Sequence, residues 1–319
     1  MMVHKTIKNI ALIALMAIPF SSVQAQDDLE SLLGEDNSTE VVTATFKSTR
    51  VVNGQSVEML APGALDFRIS HRFGTTGEGP KDFWGLDQAT IRLALEYGVN
   101  DWLNVGLGRS SFNKIVDGFA KVSLAKQTRG KNAFPVSIVY FSNVMINTSE
   151  KDDIVALDSN GNPSTSEYPF DGRLSFANQL LIAKKFNSKF SAQLTPSIVH
   201  RNLVELEVDM NTFYALGTGV RYKISPRVSI NLEYFMRLES GDSDTAPNFQ
   251  EFHDAFAVGF DIETGGHVFQ LHLTNASQMN ELGYITQTTD DFFDNGVRFG
   301  FNISREFTLK EKHKNKKKW

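Results

Sequence analysis

The stretch Val228-Ser229-Ile230-Asn231-Leu232-Glu233-Tyr234-Phe235-Met236-Arg237-Leu238 decides the fold. Its even-numbered positions are all apolar, whereas Ser229, Asn231, Glu233 and Arg237 fall between them. Successive side chains of a strand point to opposite faces, so this segment has one apolar face and one polar face. A helix would spread the same residues around its whole circumference. Working outward, Ala89, Ile91, Leu93, Leu95, Tyr97 and Val99 alternate in the same way with Thr90, Arg92, Ala94, Glu96 and Gly98. Further stripes run through residues 65–69, 103–107, 136–140, 174–182, 214–222, 256–262, 269–273 and 297–303. Two are weaker, 116–124 and 190–201. In the second, Pro196 lacks the N–H that a sheet ladder uses.

The connections alternate in length. Asn100-Asp101, residues 187–189, Ser225-Pro226 and residues 263–266 read as tight turns, and between them lie long polar segments at 74–87, 148–172, 202–211, 239–253 and 276–296. Residues 110–113 and 128–133 depart from this rhythm. Short turns at one end and long loops at the other imply an all-β chain. The expected form is a transmembrane antiparallel up-and-down β-barrel of about twelve strands, with short periplasmic turns and long outer loops. An even strand number places both termini in the periplasm. A soluble β-sandwich also alternates, but its strands are usually shorter than the roughly nine to eleven residues that a spanning strand needs. On this parity a charge at Leu232 meets lipid, and one at Asn231 is expected to be tolerated in the lumen.

The N-terminus carries His4, Lys5 and Lys8, an apolar run over 10–20, and the ending Val23-Gln24-Ala25. Residues 1–25 therefore read as a secretory signal peptide cut after Ala25. The chain has no cysteine, which excludes a lipoprotein anchor, disulfides and thiolate metal sites. No other segment approaches the length of a transmembrane helix. Residues 26–63 read as a periplasmic N-terminal segment, either an arm or a plug, with breaks at Asn53-Gly54 and Pro62-Gly63. The barrel domain covers 64–309. The lysine-rich tail 310–319 is expected to be solvated, or to bind anionic lipid or cell wall. A mean hydropathy of −0.23 fits strands that show lipid at every second residue. A net charge of −5 gives no electrostatic footprint for nucleic acid.

Six segments carry a resemblance: His71-Arg72-Phe73-Gly74, Leu95-Glu96-Tyr97-Gly98, Gly108-Arg109-Ser110-Ser111, His200-Arg201-Asn202-Leu203, Gly259-Phe260-Asp261-Ile262-Glu263-Thr264-Gly265-Gly266-His267 and Phe299-Gly300-Phe301-Asn302-Ile303-Ser304-Arg305. In these the chain, from about residue 40 to 309, resembles an uncharacterised family of porin-like β-barrel outer-membrane proteins of Gram-negative bacteria. The resemblance implies the fold and the cell outer membrane, and it implies no activity.

The inward parity supplies the lumen-lining candidates: Arg68, Arg72, Arg92, Glu96, Lys121, Arg201, Arg221, Glu233, Arg237, Asp261 and Arg298. Basic residues outnumber acidic ones, so the expected function is a small diffusion channel with a weakly cationic lumen. Phe119, Phe141, Phe213 and Phe235 share that parity and narrow the space. The alternative is a non-conducting barrel with a filled lumen that acts as a structural or ligand-binding protein. His71 and His200 face outward beside an arginine, and no His-x-Ser pair has an orienting Asn or Asp, so no catalytic residue is assigned. The histidines have no metal-ligand spacing, and residues 158–162 lack the bidentate Glu of a calcium loop. No cofactor is expected. The expected partners are outer-membrane lipid, the barrel-assembly machinery and, for a channel, small solutes.

Overall fold

The computed structural model describes residues 38–150, 170–203, 210–238 and 252–309. Residues 1–25, read above as a signal peptide, residues 158–162 and the lysine-rich segment 310–319 lie outside them. In chain order the strands are β1 (Thr39–Val41), β2 (Ala64–Thr75), β3 (Ala89–Gly98), β4 (Leu103–Ser110), β5 (Ile115–Ala125), β6 (Thr128–Gly130) and β7 (Ser137–Asn147). They continue with β8 (Leu174–Lys185), β9 (Phe190–Arg201), β10 (Thr212–Lys223), β11 (Val228–Arg237), β12 (Ala255–Thr264), β13 (His267–Thr274) and β14 (Arg298–Thr308). Twelve of them, all except β1 and β6, close into one antiparallel barrel in which each pairs with its sequence neighbours and β14 returns to β2. β1 and β6 form a separate ribbon that ties the N-terminal approach to the β5–β7 connection at the short-turn end.

The alternation sets the two faces. On β11, Ser229, Asn231, Glu233 and Phe235 are buried, while Ile230, Leu232 and Met236 lie on the other side. Around the circumference Leu93, Leu95, Val144, Leu194, Phe260 and Leu271 are exposed, and Leu107 is 65% exposed. So many uncovered large apolar side chains form a belt suited to lipid. Tyr97, Trp102, Tyr222 and Phe307 sit near the short-turn ends, where amphipathic rings favour the headgroup region. No helix among the described residues is long and apolar enough to cross a membrane. Pro196 has a local effect. It lies opposite Leu216 of β10, but toward β8 the ladder is interrupted between the pairs Gln179–Ser197 and Ile182–Leu194.

Eight strands enclose a space that inward side chains just fill, and twelve enclose more. Here the chain itself occupies the extra room. Residues 44–62 enter from the short-turn end, rise inside the barrel, reverse at Val51–Gly54 and return to β2. Val51 N–H donates to the Gly54 carbonyl (2.9 Å), and Arg50 bridges Gln55. Phe46, Val51, Val52 and Val57 of this insert are buried in one cluster with Phe119, Val139, Phe141, Leu181, Ala183 and Ala257 of the wall. From the long-loop end, the β13–β14 connection sends down a short helix, Glu281–Thr286, buried throughout. Its Leu282, Tyr284 and Ile285 pack against Ile115, Met145, Val199 and Phe235.

Candidate functional site

The barrel interior is the candidate site, and its polar groups are committed to the insert. Glu233 is the centre of this arrangement. Its carboxylate accepts from the backbone N–H groups of Val52 (3.0 Å), Asn53 (2.9 Å) and Gly54 (2.9 Å), so the turn grips it as a small anion nest. A Cβ at Gly54 would lie 2.7 Å from the Phe235 ring, so no larger residue fits at this approach.

Most of the other candidates hold the same segment. Arg68 donates to the hydroxyls of Ser48 (2.9 Å) and Thr49 (2.8 Å) and to Asp66 (2.9 Å). Lys121, 0% exposed, donates to the carbonyls of Glu58 (2.7 Å) and Thr49 (3.4 Å) and lies 3.8 Å from Glu96. Glu96 accepts from Thr49 (2.8 Å) and Asn104 (2.9 Å). Arg221 donates to the Ala44 (3.0 Å) and Thr45 (3.1 Å) carbonyls, and Arg72 to the Asn53 side chain (2.9 Å). A basic residue bound to a backbone carbonyl neutralises no charge, but it satisfies an acceptor that would otherwise be buried unpaired.

The remaining candidates are held elsewhere. Arg92 forms a bidentate pair with Asp117 (3.1 and 2.5 Å). Asp261 accepts from Gln270 (2.9 Å), and Gln270 also donates to the Val51 carbonyl (3.0 Å). Arg201 donates to the Met210 carbonyl (3.2 Å) and stacks over Phe213. Arg237 and Arg298 sit half-buried at the long-loop end, Arg237 on the Phe252 carbonyl and Arg298 paired with Asp290. All eleven candidates are on the inner side; each contacts protein groups, and Arg68, Arg72 and Arg298 also border open space at the ends of the barrel.

Sequence reading missed several members. Gln193, Gln270 and Asn302 bond the insert backbone at Val57, Gln55, Val51 and Val52. Glu281, on the loop helix and 0% exposed, accepts from Arg50 (3.3 Å), Gln55 (3.2 Å) and Asn143 (2.6 Å). Burial lowers the Arg50 guanidinium from its ordinary value, and Glu281 opposes the shift. A usable signal was the run of inward-parity apolar residues Val139, Phe141, Leu181 and Val199, which have no place in a water-filled lumen.

Among the described residues a cup lies at each end. The long-loop cup, about 530 Å³, is bounded by parts of β2, β3, β14 and the β13–β14 connection, including Arg72, Thr90, Gln278 and Arg298. The short-turn cup, about 240 Å³, lies between the insert at Lys47–Thr49 and Glu58–Leu60 and the wall at Asp66, Arg68 and Ser304.

Among solved structures the chain is similar to the NanC porin, at 8% identity and TM-score 0.45 over 77% of this chain and 100% of that one. It is also similar to an outer membrane channel from Pseudomonas putida F1, at 14% identity and TM-score 0.44 over 79% and 98%. LpxR from Salmonella typhimurium aligns at 10% identity and TM-score 0.35 over 76% and 99%. No curated protein matches the sequence. The membrane-bound β-barrel domain family DUF5777 matches residues 46–307, from the rising limb of the insert to the last strand, and the chain belongs to that family.

Proposed function

We propose that this protein is an outer-membrane barrel, with its short turns and both termini on the periplasmic side, whose lumen is closed by its own N-terminal segment. In this state it does not conduct, and it acts as a structural or ligand-binding barrel. The observation that carries the reading is the three-fold grip of the Val52–Gly54 backbone on Glu233 at the centre of the wall. The Phe46, Val51, Val52 and Val57 side chains, buried in the same cluster, add roughly 1.5–3 kcal/mol each before the entropy of ordering is counted.

The small diffusion channel is the second reading, and one observation favours it. Both limbs of the insert lie toward the short-turn end, so withdrawal would break no strand pairing of the barrel. Withdrawal would also free Arg68, Lys121 and Arg221 to face water, which gives the lumen its anion preference. Planar-bilayer recordings separate the two. Wild-type protein is expected to be silent, and a chain lacking residues 26–62 to conduct with a modest anion preference. Steady wild-type conductance would overturn the closed reading. Silence of both chains would remove the channel.

A further inference from the structure

We propose that the long-loop cup is a binding site for a small hydroxylated carboxylate. The reasoning starts with charge. Two arginines line the cup, and among the described residues that line it there is no carboxylate. Arg298 is already paired with Asp290. Arg72 is not. It is 1% exposed, and its terminal nitrogens donate to the carbonyls of His71 (2.9 Å) and Phe301 (3.5 Å) and to the side-chain oxygens of Asn302 (3.1 Å) and Asn53 (2.9 Å), all of them neutral. Among the described residues no carboxylate lies within ion-pair distance of it, and its Nε has no partner. Glu233 is separated from Arg72 by Asn53, which bonds both, and the carboxylate is taken up by the turn.

A buried guanidinium with no carboxylate in direct contact is costly, and an anion entering the cup beside it recovers part of that cost. The Arg298 Nε is likewise buried and unpartnered, so the two guanidinium groups act on the cup through their charge and not through exposed Nε–H groups. The rest of its polar lining is uncharged: Gln88, Thr90, Gln287 and Thr289 present amide and hydroxyl groups that match hydroxyls. A volume of about 530 Å³ lies within the range of small-molecule sites. The site goes beyond the closed lumen and asks only that the tip of the insert lie beneath the cup.

Isothermal titration of the full chain in detergent tests it, with gluconate, the neutral polyol sorbitol and the bare carboxylate acetate as probes. Gluconate is expected to bind at least about tenfold more tightly than either control, and Arg298→Gln to weaken gluconate by about tenfold without changing sorbitol. Gln287→Ala should weaken gluconate and leave acetate unchanged. Heat-modifiable migration on gels identifies variants that retain the barrel. Equal affinity for gluconate and sorbitol, equal affinity for gluconate and acetate, no binding at all, or a folded Arg298→Gln protein that binds gluconate as wild type does would each overturn the proposal. Conductance is read separately, so a conducting wild type that still bound gluconate would leave this site standing and remove the closed-lumen reading.

Discussion

Glu233 shows how one residue can serve two structures. On β11 it occupies an inward position of an ordinary alternating strand, and for the insert it is a side chain that accepts from three successive backbone N–H groups. Hydrogen bonds to a charged group contribute about 1.5–3 kcal/mol each. Glu233→Gln keeps the shape but turns an amide NH₂ toward donors. The expected result is a loosened insert, by about 3 kcal/mol or more, in an intact barrel. Because the chain has no cysteine, Val52→Cys provides a clean probe. A maleimide should react slowly with it in the parent and much faster when Glu233→Gln is added. Equal rates would show that the carboxylate does not hold the turn. Asn53 and Gly54 were legible from sequence as a turn, because that dipeptide punctuates chains in a known way. Its partner was not legible, since parity tells which face a residue takes and not what stands across the barrel.

At the scale of elements, β11 tests the register. Leu232→Arg places a cation against lipid near the middle of a strand and should cost about 2–4 kcal/mol in urea titrations of vesicle-inserted protein. Sequence reading expects Asn231 to tolerate a charge. The structure argues against that expectation, because Asn231 is 1% exposed and lies beside Asp261 in a closely packed part of the lumen. Asn231→Ser, which adds no charge, is the substitution that should leave the barrel intact. If Leu232→Arg were harmless, the strand would be one residue out of register. The loop helix Glu281–Thr286 is the other element with a clear liability. Glu281→Ala leaves Arg50 buried without its carboxylate, a change that costs about 3–5 kcal/mol in comparable buried pairs. The expected outcome is that Val52→Cys becomes more reactive although the altered residue belongs to the opposite end of the barrel. No change in reactivity would separate the helix from the insert. This coupling could not be read from sequence, because residues 50 and 281 meet only once twelve strands have closed.

For the whole molecule, the alternation and the strand number were readable because a spanning strand must repeat with period two against lipid. The occupancy of the lumen was legible only in part, from the inward apolar residues. The inward arginines and lysines of a water-filled channel and of a plugged barrel have the same spacing, and what distinguishes the two is whether they meet water or backbone carbonyls such as those of Ala44, Thr49 and Glu58. The inward apolar residues and Phe46, Val51, Val52 and Val57 of the N-terminal segment belong to one cluster, but nothing in their separate positions joined them. The central claim is that residues 44–62 lie inside the closed barrel. Amide hydrogen exchange of the vesicle-embedded protein tests it directly, read on peptides covering residues 49–57. Protection comparable to that of β10 and β11, falling in Glu233→Gln while the strands stay protected, is the predicted result. Exchange of that peptide as fast as an unstructured chain, with the strands protected, would contradict it.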